Sequence, residues 1–206
     1  HITLYDYNPG MLLGSWLPER DVANMAINAP IYREIGIQGF TREGRKAFMQ
    51  TWISYWISAK LWWDADADVE ALKADFYNTF FGPEAGRHVQ AWWDSHEKRL
   101  LEDPMQAHED FFINHIYTPE FAESLVPHVE AARKAKMTPK QKARFEAFEL
   151  LHEHFMAFTD MTAAEKAMDW ARASAAAARM TAAKQNLNKI WSFFILVHEP
   201  PRKYFA

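Results

Sequence analysis

Two short β-forming segments flank a single helical stretch at the start of this chain, and that arrangement limits what the chain can become. Ile2-Thr3-Leu4-Tyr5-Asp6-Tyr7 is rich in β-formers and is stopped by the turn signal Asn8-Pro9-Gly10. Ile37-Gln38-Gly39-Phe40 reads as a second short strand, ending in the polar loop Thr41-Arg42-Glu43-Gly44. Between them, Val22, Met25, Ala26 and Ala29 recur at helical spacing over residues 22–34, with Asp21 as the N-cap and Gly36 as the closing residue. Pro30 is expected to kink or split this helix. Residues 1–43 therefore read as one βαβ unit with parallel strands and a right-handed crossover. Two strands alone do not make a stable parallel sheet, because such sheets need cover on both faces. Part of the fold is thus expected to be encoded elsewhere. The start at His1, directly ahead of an apolar run, points the same way.

From residue 45 onward the pattern is helical. Phe48, Trp52, Tyr55, Trp56, Ala59, Trp62 and Trp63 form a wide apolar stripe over 45–63. The acidic run Asp64, Asp66, Asp68 ends that helix, and Asp68 is expected to cap the next, over 69–81, with Val69, Leu72, Phe76 and Phe80 on one side. Gly82-Pro83 stops it, and a helix over 84–102 carries Val89, Trp92, Trp93 and Leu100. Thr118-Pro119 and Thr138-Pro139 open helices over 119–135 and 139–158, each with proline at the first position. Thr162 is expected to cap an alanine-rich helix over 163–184. The fold class is mostly α.

Composition narrows the function. The 206 residues are 49% hydrophobic and 24% charged, which suits a globular chain and argues against disorder. Aromatics reach 15%, with 9 Trp and 15 Phe. They serve either a bulky helical core or a carbohydrate-handling surface, since sugar rings stack on flat aromatic faces. A net charge of −4 without a basic block speaks against nucleic acid as a partner. The lack of Cys removes disulfides and thiolate metal sites, and no apolar run is long enough to span a membrane.

Candidate chemistry gathers at the ends of the two strands. Ligands of open α/β sheets and β/α barrels bind at the carboxyl ends of parallel strands. Alternation puts Tyr5 and Tyr7 on one face and Asp6 and Asn8 on the other. Asp6 and Asn8 either hydrogen-bond sugar hydroxyls or make local turn bonds to the backbone. Glu43 is either a site carboxylate or a first-turn residue favoured by a helix dipole. Trp16 either walls a sugar site or packs on the helix behind it. The acidic run fails as a calcium loop, because Val69 and Asp75 stand where Gly and Glu are needed. His152 and His154 are two apart on a helix and do not face each other. His108-Glu109 lacks its second histidine, with Phe112 in its place. No metal site and no cofactor is expected.

Three stretches resemble one bacterial family. They are Ile31-Tyr32-Arg33-Glu34-Ile35-Gly36-Ile37-Gln38-Gly39-Phe40, then Trp56-Ile57-Ser58-Ala59-Lys60-Leu61-Trp62-Trp63-Asp64, then Asp68-Val69-Glu70-Ala71-Leu72 with Phe76 to Ala85. They are similar to a domain-of-unknown-function family related to family-163 glycoside hydrolases, which act as endo-β-N-acetylglucosaminidases on N-glycans. Trp63 departs from the pattern, which goes straight to Asp, and residues after 103 carry no part of the resemblance. The resemblance implies a (β/α)8 barrel whose last two units are residues 1–64, followed by a helical carboxy-terminal region, 65–206. It further implies a carbohydrate substrate, a secreted or periplasmic location, and a catalytic acid pair on earlier strands. Tyr5, Asp6, Tyr7, Asn8, Trp16 and Glu43 would then be substrate contacts, and this portion alone would be inactive. The competing expectation is a non-catalytic helical scaffold or partner-binding module whose aromatics are core or interface.

Overall fold

The computed structural model describes residues 1–6, 17–18, 21–42, 48–105 and 109–190. Two strands, β1 (Ile2–Asp6) and β2 (Ile37–Arg42), are joined through helix α1 (Val22–Glu34). Seven helices follow: α2 (Phe48–Trp63), α3 (Val69–Phe81), α4 (Pro83–Glu102), α5 (Glu109–Ile116), α6 (Pro119–Lys134), α7 (Pro139–Lys166) and α8 (Trp170–Ile190). The strands pair in parallel, with Thr3 opposite Gly39, Leu4 opposite Phe40, Tyr5 opposite Thr41 and Asp6 opposite Arg42. The mostly-α fold class and the parallel pair agree with the sequence.

Four local expectations are corrected. β2 continues past Phe40, so Thr41 and Arg42 are strand rather than loop. α1 is not split at Pro30; burial of Val22, Met25 and Ala29 and its packing on α2 carry it through. Asp21 stands at the N-cap of α1 without capping it through its side chain. Its Oδ1 accepts from Asn24 Nδ2 at 2.6 Å, and the first-turn amide of Ala23 donates instead to Glu97 Oε1 of α4 at 2.7 Å. Thr162 lies inside α7, buried, its hydroxyl donating to Thr159 O at 3.1 Å, a bond within the helix that removes any need to cap. The break comes later, at Met168 with φ +58°, and Asp169 Oδ1 caps α8 by accepting from Arg172 N at 3.0 Å.

The other helix ends follow the sequence. Asp68 Oδ1 accepts from Ala71 N at 3.0 Å. Thr138 and Gln141 form a reciprocal capping box. Gly36 at φ +80° closes α1 and Gly82 at φ +88° separates α3 from α4. The acidic run is a helix junction: Asp64 Oδ1 accepts from Asp66 N, Asp66 pairs with Arg33 of α1, and Asp68 caps.

The core is built from aromatic rings. Trp52 of α2 meets Phe76, Phe80 and Phe81 of α3 edge-on, with centroids 5.5, 4.6 and 5.5 Å away. Phe81 reaches Phe148 of α7, which in turn meets Trp92 of α4 at 5.1 Å. One ladder of edge-to-face contacts therefore ties α2, α3, α4 and α7 together. The buried face of α2 is shifted from the expected stripe towards Ile53, Ile57 and Leu61, and Ala59 and Trp63 fall outside it. Trp52, Ile53, Ile57 and Leu61 are buried, Trp62 is half-buried, and Trp63 is 93% exposed. Gly86 permits the close approach of α4 to α3, since a Cβ there would sit 2.5 Å from the backbone oxygen of Tyr77. Gly86→Ala should destabilise the fold by about 1–3 kcal/mol through forced separation of the two helices, read as a lower urea midpoint with an unchanged slope.

Three histidines are buried, and His96 and His152 lie against these rings. His96 lies within 4.2 to 6.1 Å of Trp92, Trp93, Tyr117, Phe121 and Phe155, measured between ring centroids. Both of its ring nitrogens, and both of those of His154, lack a hydrogen-bond partner among the described residues. Burial pushes all three imidazoles down: His96 well below its ordinary value, His152 to about 4 and His154 to about 3. The folded state therefore refuses protons that the unfolded chain accepts below pH 6.5. Stability should be fully present above that pH and fall steadily towards pH 4. Chemical denaturation at stepped pH measures this, and His154→Leu should flatten the slope.

Candidate functional site

The carboxyl end of the strand pair is organised by β2. Phe40 and Arg42, two apart, point towards the helices. Phe40 stacks on Trp62 of α2 at 4.6 Å with planes 7° apart, and meets Tyr32 of α1 at 5.9 Å. The Arg42 guanidinium lies 4.7 Å from the centre of the Trp62 ring. Its Nη1 donates to Ser58 Oγ at 2.5 Å and its Nη2 approaches Met25 Sδ at 3.2 Å. Ser58 Oγ donates in turn to Ser54 O, and Ser54 Oγ accepts from Asp21 N at 3.1 Å. One arginine thus links the strand end to α2 and α1, through a polar line that continues to the start of α1.

Among the described residues the opposite face of the pair is open. Thr3 and Tyr5 share it with Gly39 and Thr41, by register and alternation. Tyr5 is 50% exposed, and Thr3 and Thr41 are also exposed. α1 and α2 cover one side and nothing among the described residues covers the other.

Of the residues expected to contact substrate, Tyr5 stands on this open face at the carboxyl end of β1. Asp6 is the last residue of β1, in register with Arg42. Tyr7, Asn8, Trp16 and Glu43 lie outside the described residues. Sequence reasoning missed Arg42, because a charged residue after a short apolar strand reads as loop. Its place two residues beyond Phe40, on the same face, was the available signal.

A second concavity lies beside this site. Tyr55, Trp56, Phe76 and Phe80 wall a cleft of ≈ 610 Å³ between α2 and α3, with Lys60 and Asp75 as its charged groups. The Lys60 ammonium lies 5.4 Å from the centre of the Trp56 ring. Flat aromatic walls with a few polar groups suit a ligand that has both an apolar face and hydrogen-bonding edges. Among the described residues no group of three or more His, Asp or Glu is placed to hold a metal, and no helix is long and apolar enough to cross a membrane.

Arg42→Ala should cost about 1–3 kcal/mol, by loss of the cation–π contact and of the bond to Ser58. Arg42→Lys should recover little, because an ammonium cannot present the planar guanidinium to both partners. Urea midpoints of the two variants check this.

No curated protein and no solved structure matches the chain. Residues 1–94, running from β1 into α4, match the family model described as Domain of unknown function (DUF4838), so the amino-terminal part of this chain is similar to a family of domains whose function is not known.

Proposed function

We propose that this chain is the carboxy-terminal portion of a glycoside hydrolase-like barrel protein that acts on N-acetylglucosamine-containing glycans. The observation that supports it is the one-sided sheet. Among the described residues the two parallel strands carry helices on one face only, while Thr3, Tyr5 and Thr41 on the other are exposed. That is the arrangement of a β/α barrel segment, with helices outside and the strand face turned inward. The resemblance of residues 31–85 to the family related to family-163 glycoside hydrolases supplies the substrate class and a secreted or periplasmic location. In this reading the missing β/α units belong to the same protein and bring the acid pair that glycoside hydrolysis needs. Tyr5, Asp6, Tyr7, Asn8, Trp16 and Glu43 contribute substrate contacts at the mouth of the barrel. Arg42 acts behind them as a positioning residue, holding β2 against α1 and α2.

A second reading is a non-catalytic helical scaffold or partner-binding module. It is favoured by the fate of the aromatics: Trp52, Trp92, Trp93, Tyr77, Phe81, Phe148 and Phe155 are all fully buried. Most of the aromatic excess therefore serves packing rather than a sugar surface.

The two readings separate by expressing the gene from its natural start and assaying release of reducing sugar from N-glycans. The barrel reading expects release by that protein, none by this chain alone, and glycan binding weakened about tenfold by Asp6→Ala or Tyr5→Ala, the loss of one good hydrogen bond or stacking contact. No release, together with unchanged binding in both variants, would leave the scaffold reading standing.

A further inference from the structure

The carboxy-terminal helices form a groove that lies beyond the family match. It runs between α6, α7 and α8, and its volume is ≈ 690 Å³. Its apolar part is Met156, Ala157, Ala182 and Ala183.

His152 gives the groove a fixed donor. The residue is 7% exposed, and Trp92 Nε1 donates to its Nδ1 at 3.2 Å. An accepting Nδ1 places the proton of the neutral ring on Nε2. Burial, which pushes this imidazole down to about 4, keeps it neutral at ordinary pH. Nε2–H has no hydrogen-bond partner among the described residues, and His152 is part of the groove wall.

The two sides of the groove carry opposite character. On α8, Arg172 Nε donates to Asp160 Oδ1 at 2.7 Å, and Arg179 pairs with the other oxygen through Nη2. Burial pushes the Asp160 carboxyl up, but the hydrogen bonds and charges of the two arginines outweigh it and hold the group below the usual carboxylate range. Asp160 thus stays ionised and fixes both guanidiniums, while Arg179 keeps its Nε and Nη1 donors unused. Asn186 accepts from Lys189 Nζ through Oδ1 at 3.0 Å, which leaves its amide hydrogens to donate. On the other side, Glu123 of α6 and Glu153 of α7 have no ion-pair partner among the described residues.

We propose that this groove binds a short zwitterionic peptide. Its ammonium pairs with Glu123 and Glu153, and its carboxylate takes the unused donors of Arg179 and Arg172. Its backbone carbonyl accepts from His152 Nε2–H, and a small side chain lies against Met156, whose flexible thioether adapts to it. Two guanidiniums facing three carboxylates make the groove a poor host for a phosphate or sulfate ester. A neutral ligand would leave Glu123 and Glu153 without the partner their position provides for.

Isothermal titration of the full chain with trialanine, and with the same peptide acetylated and amidated at its ends, tests the assignment. Trialanine should bind, and the capped peptide should bind at least about tenfold more weakly, as should trialanine to Arg179→Met. Arg179 is exposed, so that variant should keep the helical circular dichroism of the parent. If it does not, Glu123→Gln provides the same readout from the other wall. Absence of trialanine binding, equal affinity for the capped peptide, or unchanged affinity in a folded variant would overturn the proposal.

Discussion

A parallel strand pair has two faces and two edges, and each must be covered or hydrated. In this chain α1 and α2 cover one face, through Phe40, Trp62, Tyr32 and Arg42. The stacked Phe40–Trp62 pair is the contact on which the amino-terminal region depends. It fixes which side of β2 turns to the helices, and so which side is left open. Because the side-chain period of a strand is two, that one contact decides that Thr3, Tyr5, Gly39 and Thr41 belong to the open face.

The helical region is held differently. Its ladder of edge-to-face rings runs from Trp52 through Phe81 and Phe148 to Trp92 and Phe155. Trp92 has two roles. Its ring packs in the core, while its indole N–H sets the tautomer of His152. The same side chain thus joins the core of the match region to the groove wall of the later helices. Buried neutral histidines in this setting place polar atoms where an apolar side chain would pack as well. For His152 the proposed ligand groove accounts for the choice.

Local signals were legible in the sequence because they act locally. Asp68, Thr118, Thr138, Gly36 and Gly82 mark helix ends by hydrogen bonds or backbone conformation that need no distant partner. The parallel pair was legible because the connecting helix forbids a hairpin. What failed depended on distant residues. Asp21 gives up its capping role because Glu97, far along the chain, reaches the Ala23 amide. The break between α7 and α8 has no glycine or proline, so Thr162 drew the boundary wrongly. Periodicity also could not tell which edge of the α2 stripe is covered, and Trp63 fell outside. Of the strand-end residues, Tyr5 and Asp6 were placed on β1 as expected. The groove of α6 to α8 had no sequence signal at all, since its walls come from three helices at unrelated spacings.

The open strand face is the claim on which the functional account rests. Further barrel strands would pair with the outer edges of β1 and β2, so the claim is tested most directly by hydrogen exchange at the outer-edge amides of both strands, in this chain and in the protein carrying the proposed upstream units. The account predicts rapid exchange at these amides in the chain alone, and protection raised by about a hundredfold or more when further strands can pair, a local opening cost of a few kcal/mol. Equal protection in both would contradict it, because the pair would then be complete without any further partner.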